Sequence, residues 1–347
     1  MPGTKPKIIA LLAVIVIALF FVNFGAGQKK DVTDGATAIK NPLNTRNYWL
    51  AQINDLGAAK AYEKFKETYA EENFGTQHSL AHVIGELIYE KEGIPGLAIC
   101  DATFAFGCYH SFFGRALSEQ GLEVIPELDK TCVEKFGPLG TGCLHGIGHG
   151  IREFMGPDRL VDALDACTLT TQIKELFGCT SGVFMENNVP IVITDDAEPY
   201  TAARKLNSEN PYEPCNTIVP EKFRKSCYYE MPQWWNQVFN FDYSKVGELC
   251  AGIPDAEQSK SCFLGAGNVA APSSQYNVAQ TIKLCDLMPS EEGVLLCRSG
   301  ASWSFFAEPT ARNLSPELCK GLGPEVESQC AKESDLIGNG EKNGVPQ

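Results

Sequence analysis

Apolar residues return every three or four positions along most of the chain, the spacing of a helix face rather than of a strand. In Leu160-Val161-Asp162-Ala163-Leu164-Asp165-Ala166 and in Val278-Ala279-Gln280-Thr281-Ile282-Lys283-Leu284 the apolar stripe runs into a cysteine, Cys167 or Cys285. Each stretch predicts a helix A that ends at a first cysteine. A short turn later, Pro220, Pro254, Pro289 and Pro324 each precede an acidic residue or a Ser-Glu pair. Proline is well tolerated at the start of a helix, and carboxylates are favoured at its positive end. A helix B is therefore predicted to begin at these points and to hold a second cysteine one or two turns in.

The fourteen cysteines pair off in chain order: Cys100 with Cys108, Cys132 with Cys143, Cys167 with Cys179, Cys215 with Cys227, Cys250 with Cys262, Cys285 with Cys297 and Cys319 with Cys330. Four pairs enclose eleven residues, two enclose ten and one encloses seven, and first cysteines recur after 32, 35, 48, 35, 35 and 34 residues. A period of this size is that of a two-helix repeat. Antiparallel helices joined by a tight turn bring such cysteines to the roughly 5.5 Å Cα separation of a disulfide, so pairing is expected within each repeat. No CxxC or CxC occurs, as metal thiolate sites would favour. Each short loop closed in this way adds about 2 to 3 kcal/mol of stability.

Three residues after the second cysteine, Gly146, Gly182, Gly265 and Gly300 recur at one place in helix B. Glycine costs about 1 kcal/mol in a helix interior, so its recurrence marks helix B as the crowded inner helix. The fold class is all-α: disulfide-stapled helical-hairpin repeats forming either a curved solenoid or a closed α/α ring, with the sequence leaving that choice open.

At the N-terminus, Lys5 and Lys7 precede an apolar run from Ile8 to Phe24, followed by Gly25-Ala26-Gly27. Residues 1–27 therefore read as a signal peptide or an uncleaved membrane anchor, and both place the rest of the chain outside the cytoplasm, where disulfides persist. The membrane is a partner through this segment if it stays attached. Residues 28–46 read as a polar linker. Residues 47–336 form the repeat domain, with a cysteine-free unit at 47–93 ahead of seven stapled units. In that first unit Thr76-Gln77-His78-Ser79-Leu80 aligns with Cys143-Leu144-His145-Gly146-Ile147. The long step between repeats contains Asn187 to Pro211, read as an inserted loop, and residues 337–347 read as a disordered tail. With 44% hydrophobic residues the chain can bury a core, and a formal charge of -14 argues against nucleic acid as a partner.

Gly107-Cys108-Tyr109-His110-Ser111-Phe112-Phe113-Gly114, closing on Gly121, resembles the end of a Sel1-like repeat of the cysteine-rich secreted kind. The resemblance covers one repeat and implies helical-repeat architecture. The other units depart from that pattern, so it transfers no functional residue.

All five histidines lie between positions 78 and 149. On the cysteine alignment His78, His110 and His145 share one repeat position, and His82 and His149 stand one helical turn later. Glu86 and Glu153 stand one turn later still, so that HxxxHxxxE occurs twice, while the middle unit has His110, Gly114 and Ser118. Histidines and carboxylates stacked down one face of neighbouring helices are the ligand set of Zn, Fe, Mn or Cu. If curvature is weak, two sites sharing His110 as a wall are the anticipated outcome. Glycines 146, 148 and 150 alternate around His149 and would let a ligand or another backbone approach. The competing reading is that duplication copied structural histidines bonded to carbonyls or carboxylates.

Glu186 and Glu230 lie on later B helices and could face the same cavity, and Trp234, Trp235, Trp303, Phe305 and Phe306 read as core or groove lining. No GxSxG, P-loop, GxGxxG or CxxCH is present, while non-covalent haem between two histidines stays open. The favoured function is an extracytoplasmic metalloprotein, a hydrolase or oxidoreductase with the five histidines as ligands and Glu86 and Glu153 as ligand or base. The alternatives are a module binding a protein or peptide on its concave face, and metal storage or delivery.

Overall fold

The computed structural model describes residues 42–104, 106–136, 141–171, 176–188 and 206–338. The segment read as anchor or signal, most of the inserted loop and the last nine residues lie outside the described residues. The chain divides between Tyr48 and Trp49 into two compact units. Of the first, only residues 42–48 are described, and they are helical as the start of α1 (Pro42–Leu56), so the chain is already ordered inside the predicted linker. All the other helices belong to the second unit.

Helices α2 (Ala58–Tyr69), α3 (Phe74–Glu92), α4 (Gly107–Gln120), α5 (Ile125–Phe136), α6 (Thr141–Met155), α7 (Leu160–Ala166) and α8 (Cys179–Asn188) form its first half. Helices α9 (Arg224–Val238), α10 (Tyr243–Ala251), α11 (Ala256–Ser273), α12 (Val278–Cys285), α13 (Glu291–Ala307) and α14 (Pro324–Gly338) complete it, with no strand among the described residues. The inner helices pack in series, α3 on α4, then α6, α8, α9, α11, α13 and α14. Of the others, α2 and α5 each lean on one of them, while α7, α10 and α12 each touch two. This is the anticipated division into inner B and outer A helices. Outer α5 buries only Ile125, Leu128, Asp129 and Cys132, one face of a helix. Inner α11 buries an unbroken run from Ser261 to Gly267, because it has neighbours on several sides.

All seven disulfides join cysteines within a repeat, with Cα separations of 5.4 to 5.7 Å, and no cysteine is free. The A helix is less regular than predicted. Cys100 follows a 3-10 turn at Ile94–Ala98, Cys215 lies among turns, and Cys319 ends a 3-10 segment at Arg312–Cys319. Pro95, Pro214 and Pro316 stand in those segments, each lacking the N–H an α-helix would use. At two of the predicted B-helix starts a side chain caps the helix, Asp255 on the Gln258 amide and Ser290 on the Gly293 amide. In α4, α6 and α8 the cysteine falls in the first turn, nearer the helix start than predicted.

The repeated glycines mark helix crossings. A Cβ on Gly182, Gly265 or Gly300 would collide with the backbone carbonyl of His145, Tyr229 or Leu264 on the preceding inner helix. Gly148 and Gly267 meet the carbonyls of Cys179 and Cys297 on the following one. Gly146 differs, because its neighbours are the side chains of Phe113 and Tyr109.

This packing corrects the register of the first unit. Gly85 meets the carbonyl of Cys108 just as Gly148 meets Cys179 and Gly267 meets Cys297. Leu80, not Thr76, therefore occupies the cysteine position of α3. His82 is the true equivalent of His110 and His145, and His78 lies one turn earlier. The sequence alignment slipped by one turn because helical repeats without a cysteine match nearly as well when shifted by four residues.

A cavity of about 280 Å3 is lined by residues from α3, α4, α6, α8, α9, α11 and α13, every inner helix before the last.

Candidate metal centre

Five imidazoles, delivered by α3, α4 and α6, meet in one buried cluster, none more than 9% exposed. Their nitrogens form two sets of three, His78 with His82 and His110, and His110 with His145 and His149, each set lying within 4.8 Å. Helix geometry explains the meeting: residues four apart stack on one face, and the glycine crossings at Gly85 and Gly150 bring the backbones of α3 and α6 against α4. The His110 and His149 rings stack with centroids 4.0 Å apart.

Three of the side chains have Nδ1 engaged from outside the cluster. His78 Nδ1 lies 2.9 Å from the Phe104 carbonyl, His145 Nδ1 lies 2.8 Å from Ser181 Oγ, and His149 Nδ1 lies 3.0 Å from Glu186 Oε2. A carbonyl and a carboxylate only accept, and the Ser181 hydroxyl has the Gly178 carbonyl as a second partner at 2.9 Å. His78 and His149 therefore carry their proton on Nδ1 and direct an Nε2 lone pair inward, and His145 does the same when the Ser181 hydroxyl donates to Gly178 rather than to its Nδ1. His145 Nε2 and His149 Nε2 face each other at 3.0 Å.

His82 Nε2 stands 3.3 Å from both His78 Nε2 and His110 Nδ1. His82 Nδ1 and His110 Nε2 are buried without a hydrogen bond. Since a metal–imidazole bond is about 2.0 to 2.1 Å, two such nitrogens on one tetrahedral ion stand about 3.3 Å apart. Three of the contacts, at 3.0 to 3.3 Å, match that value. Burial pushes all five imidazoles below their usual pKa, His149 to about 3, and for all but His78 a neighbouring imidazole adds to the effect. They are neutral at physiological pH, the form that binds a metal.

Glu86 and Glu153 stand one turn beyond His82 and His149, and in the corrected register Glu86 shares the level of His149. Glu153 Oε2 fills the space that a side chain on Gly114 would take and has no hydrogen bond. Burial raises the Glu153 pKa to about 8, helped by the charges of Glu186 and Glu86. Neither Glu86 nor Glu153 lines the cavity, whereas His78, His110 and His145 do. No protein-family model, curated protein or solved structure matches the chain. The function of the site therefore rests on its geometry alone.

Glu186 and Glu230 both sit on inner helices as anticipated, but in different surroundings: Glu186 on His149, Glu230 on the cavity wall. Trp303 also lines the cavity and packs against Phe177, which stacks on His145 at 4.3 Å. Trp234, Trp235 and Phe305 are core. Ser181, Phe104 and Phe177 carried no sequence signal, since their roles depend on which helix end meets which ring. Haem between two histidines does not fit. Its iron takes axial nitrogens from opposite faces of a macrocycle, and here the imidazoles pack ring on ring with no such gap.

Among the described residues no helix is long and apolar enough to cross a membrane, and the Ile8 to Phe24 run lies outside them. The seven disulfides fit an oxidising compartment.

Proposed function

We propose that this protein is an extracytoplasmic metalloenzyme, a hydrolase or oxidoreductase whose histidine cluster binds a pair of transition-metal ions, one in each three-nitrogen set, with His110 shared as an imidazolate whose remaining ring proton is released to solvent on binding. The observation that carries the reading is the convergence of buried imidazole nitrogens, with His145 Nε2 and His149 Nε2 3.0 Å apart and the His149 proton committed to Glu186. With the His145 proton on Nδ1 as well, the two lone pairs repel unless a cation lies between them. Partners such as Glu186 on His149 fix ring orientation and raise ligand basicity, the usual support of a metal-bound imidazole.

An all-imidazole set with no sulfur favours Zn, Cu or Fe over Mn. His78, His110 and His145 border the cavity, so coordination places left open by three ligands would face an incoming substrate. Glu86 and Glu153, one turn beyond His82 and His149, would take up or release protons. The series of inner helices sharing one cavity favours a closed or nearly closed ring of hairpins over an extended solenoid. The Ile8 to Phe24 segment would export the chain or hold it at the membrane.

Metal titration of the tag-free chain tests the reading. Two equivalents of Zn or Cu should bind, and His110→Ala should lose at least one of them. A native chain that never retains stoichiometric metal would leave the histidines structural.

A further inference from the structure

The cavity has a second chemical wall. Its histidines come from α3, α4 and α6, whereas Glu230 enters from α9 and Glu308 from just beyond α13. No lysine or arginine lines it. The rest of the lining includes four aromatic side chains, Phe106, Phe177, Tyr276 and Trp303.

Glu230 stands at the position where Gly182, Gly265 and Gly300 allow close helix crossings, three residues after Cys227. It is 2% exposed, and its Oε1 has no hydrogen bond. Trp303 is 3% exposed, and its Nε1 has no acceptor. Buried polar atoms left unpaired are costly, so each asks for a partner that enters the cavity. Glu308 is held by the Thr310 amide and hydroxyl. Burial raises the pKa of both acids; at Glu308 the charge of Asp101 adds to the rise, while the Thr310 hydrogen bonds and Arg312 oppose it.

We propose that the cavity binds a small primary amine on an aromatic or apolar body, its ammonium paired with Glu230 and its body against Trp303 and Phe177. Aromatic faces attract ammonium groups, and a desolvated carboxylate without a cation is completed by one. A volume of about 280 Å3 fits a compact molecule rather than a peptide. The net charge of -14 draws cations toward the chain. The Trp303 N–H offers a donor to an oxygen on the same ligand.

This names the substrate class of the proposed metalloenzyme and rests on that reading for the word substrate; the ammonium contact itself needs no metal. Calorimetry with benzylammonium, benzyl alcohol and benzoate tests it on the full chain, both chelated and metal-loaded, with metal content measured separately. Benzylammonium should bind at least tenfold more tightly than benzyl alcohol in the chelated protein, and benzoate more weakly than either. Glu230→Gln should remove that tenfold preference while leaving benzyl alcohol within twofold. Equal or tighter binding of the alcohol or benzoate, a preference that survives Glu230→Gln, or no binding of any probe at millimolar concentration would overturn the proposal. If Glu230→Gln does not fold, the ranking of the three probes on the native chain decides.

Discussion

His149 holds its proton on the side away from the cluster because Glu186 accepts it, and this one contact sets the tautomer that a metal needs. Glu186→Gln removes the charge and offers an amide that can bind Nδ1 in either tautomer. Metal affinity should fall about 10- to 100-fold, the usual cost of losing such a partner, as read by competition with a chelator of known affinity. Unchanged affinity would mean that the contact serves only packing. Glu153 gives a pH dependence. Its folded pKa of about 8 lies above the unfolded carboxyl value, so its protonated form contributes stability that is complete below about pH 4. That contribution is lost as pH rises through about 8. The five buried imidazoles act in the opposite sense, destabilising the metal-free fold as pH falls below about 6.5. The Glu153 effect is therefore read as a difference: relative to the native chain, Glu153→Gln should gain roughly 2 to 4 kcal/mol at pH 8 compared with pH 5. A pH dependence that Glu153→Gln leaves intact would place the titrating group elsewhere. At this scale the sequence showed which imidazoles share a helix face and hid what orients them. HxxxHxxxE is written in consecutive turns, but the Phe104 carbonyl and Ser181 hydroxyl act across helix ends that no local pattern connects.

Between helices, glycine decides how closely neighbours approach. Gly265→Ala exchanges a poor helix former for the best, which alone would add about 1 kcal/mol. The new Cβ would collide with the Tyr229 carbonyl, a backbone atom that cannot swing aside. The collision should win, with a net loss of about 1 to 3 kcal/mol in urea unfolding. A stabilised variant would show that α9 and α11 can separate at little cost. The recurrence of Gly182, Gly265 and Gly300 made the inner helix recognisable from sequence. The register of α3 was not, because it lacks a cysteine and only the contact of Gly85 with Cys108 fixes it. The A helices also departed from their pattern where Pro95, Pro214 and Pro316 interrupt hydrogen bonding. An apolar period records which face is buried and not whether α or 3-10 geometry delivers it.

Across the whole molecule, the seven staples and the histidine cluster divide the work. The disulfides run from Cys100–Cys108 to Cys319–Cys330, each within its own hairpin, whereas the histidines sit only where α3, α4 and α6 meet. Reduction should therefore lower the unfolding midpoint sharply, at about 2 to 3 kcal/mol per staple, and unreduced unfolded protein should titrate no thiol. Peptide mapping that linked cysteines of different repeats would refute this division. The pairing was legible because it is local in sequence. The shared cavity was not, because it depends on small rotations that accumulate from one hairpin to the next. Whether the histidine cluster is a metal centre is decided by the metal content of His145→Ala/His149→Ala beside the native chain, after identical exposure to Zn, Cu and Fe, with helicity measured on the same samples. Metal should fall well below the native level while the helical signal stays within a few per cent, since the staples hold the fold. A double variant that keeps its full metal complement would contradict a metal centre built on these histidines.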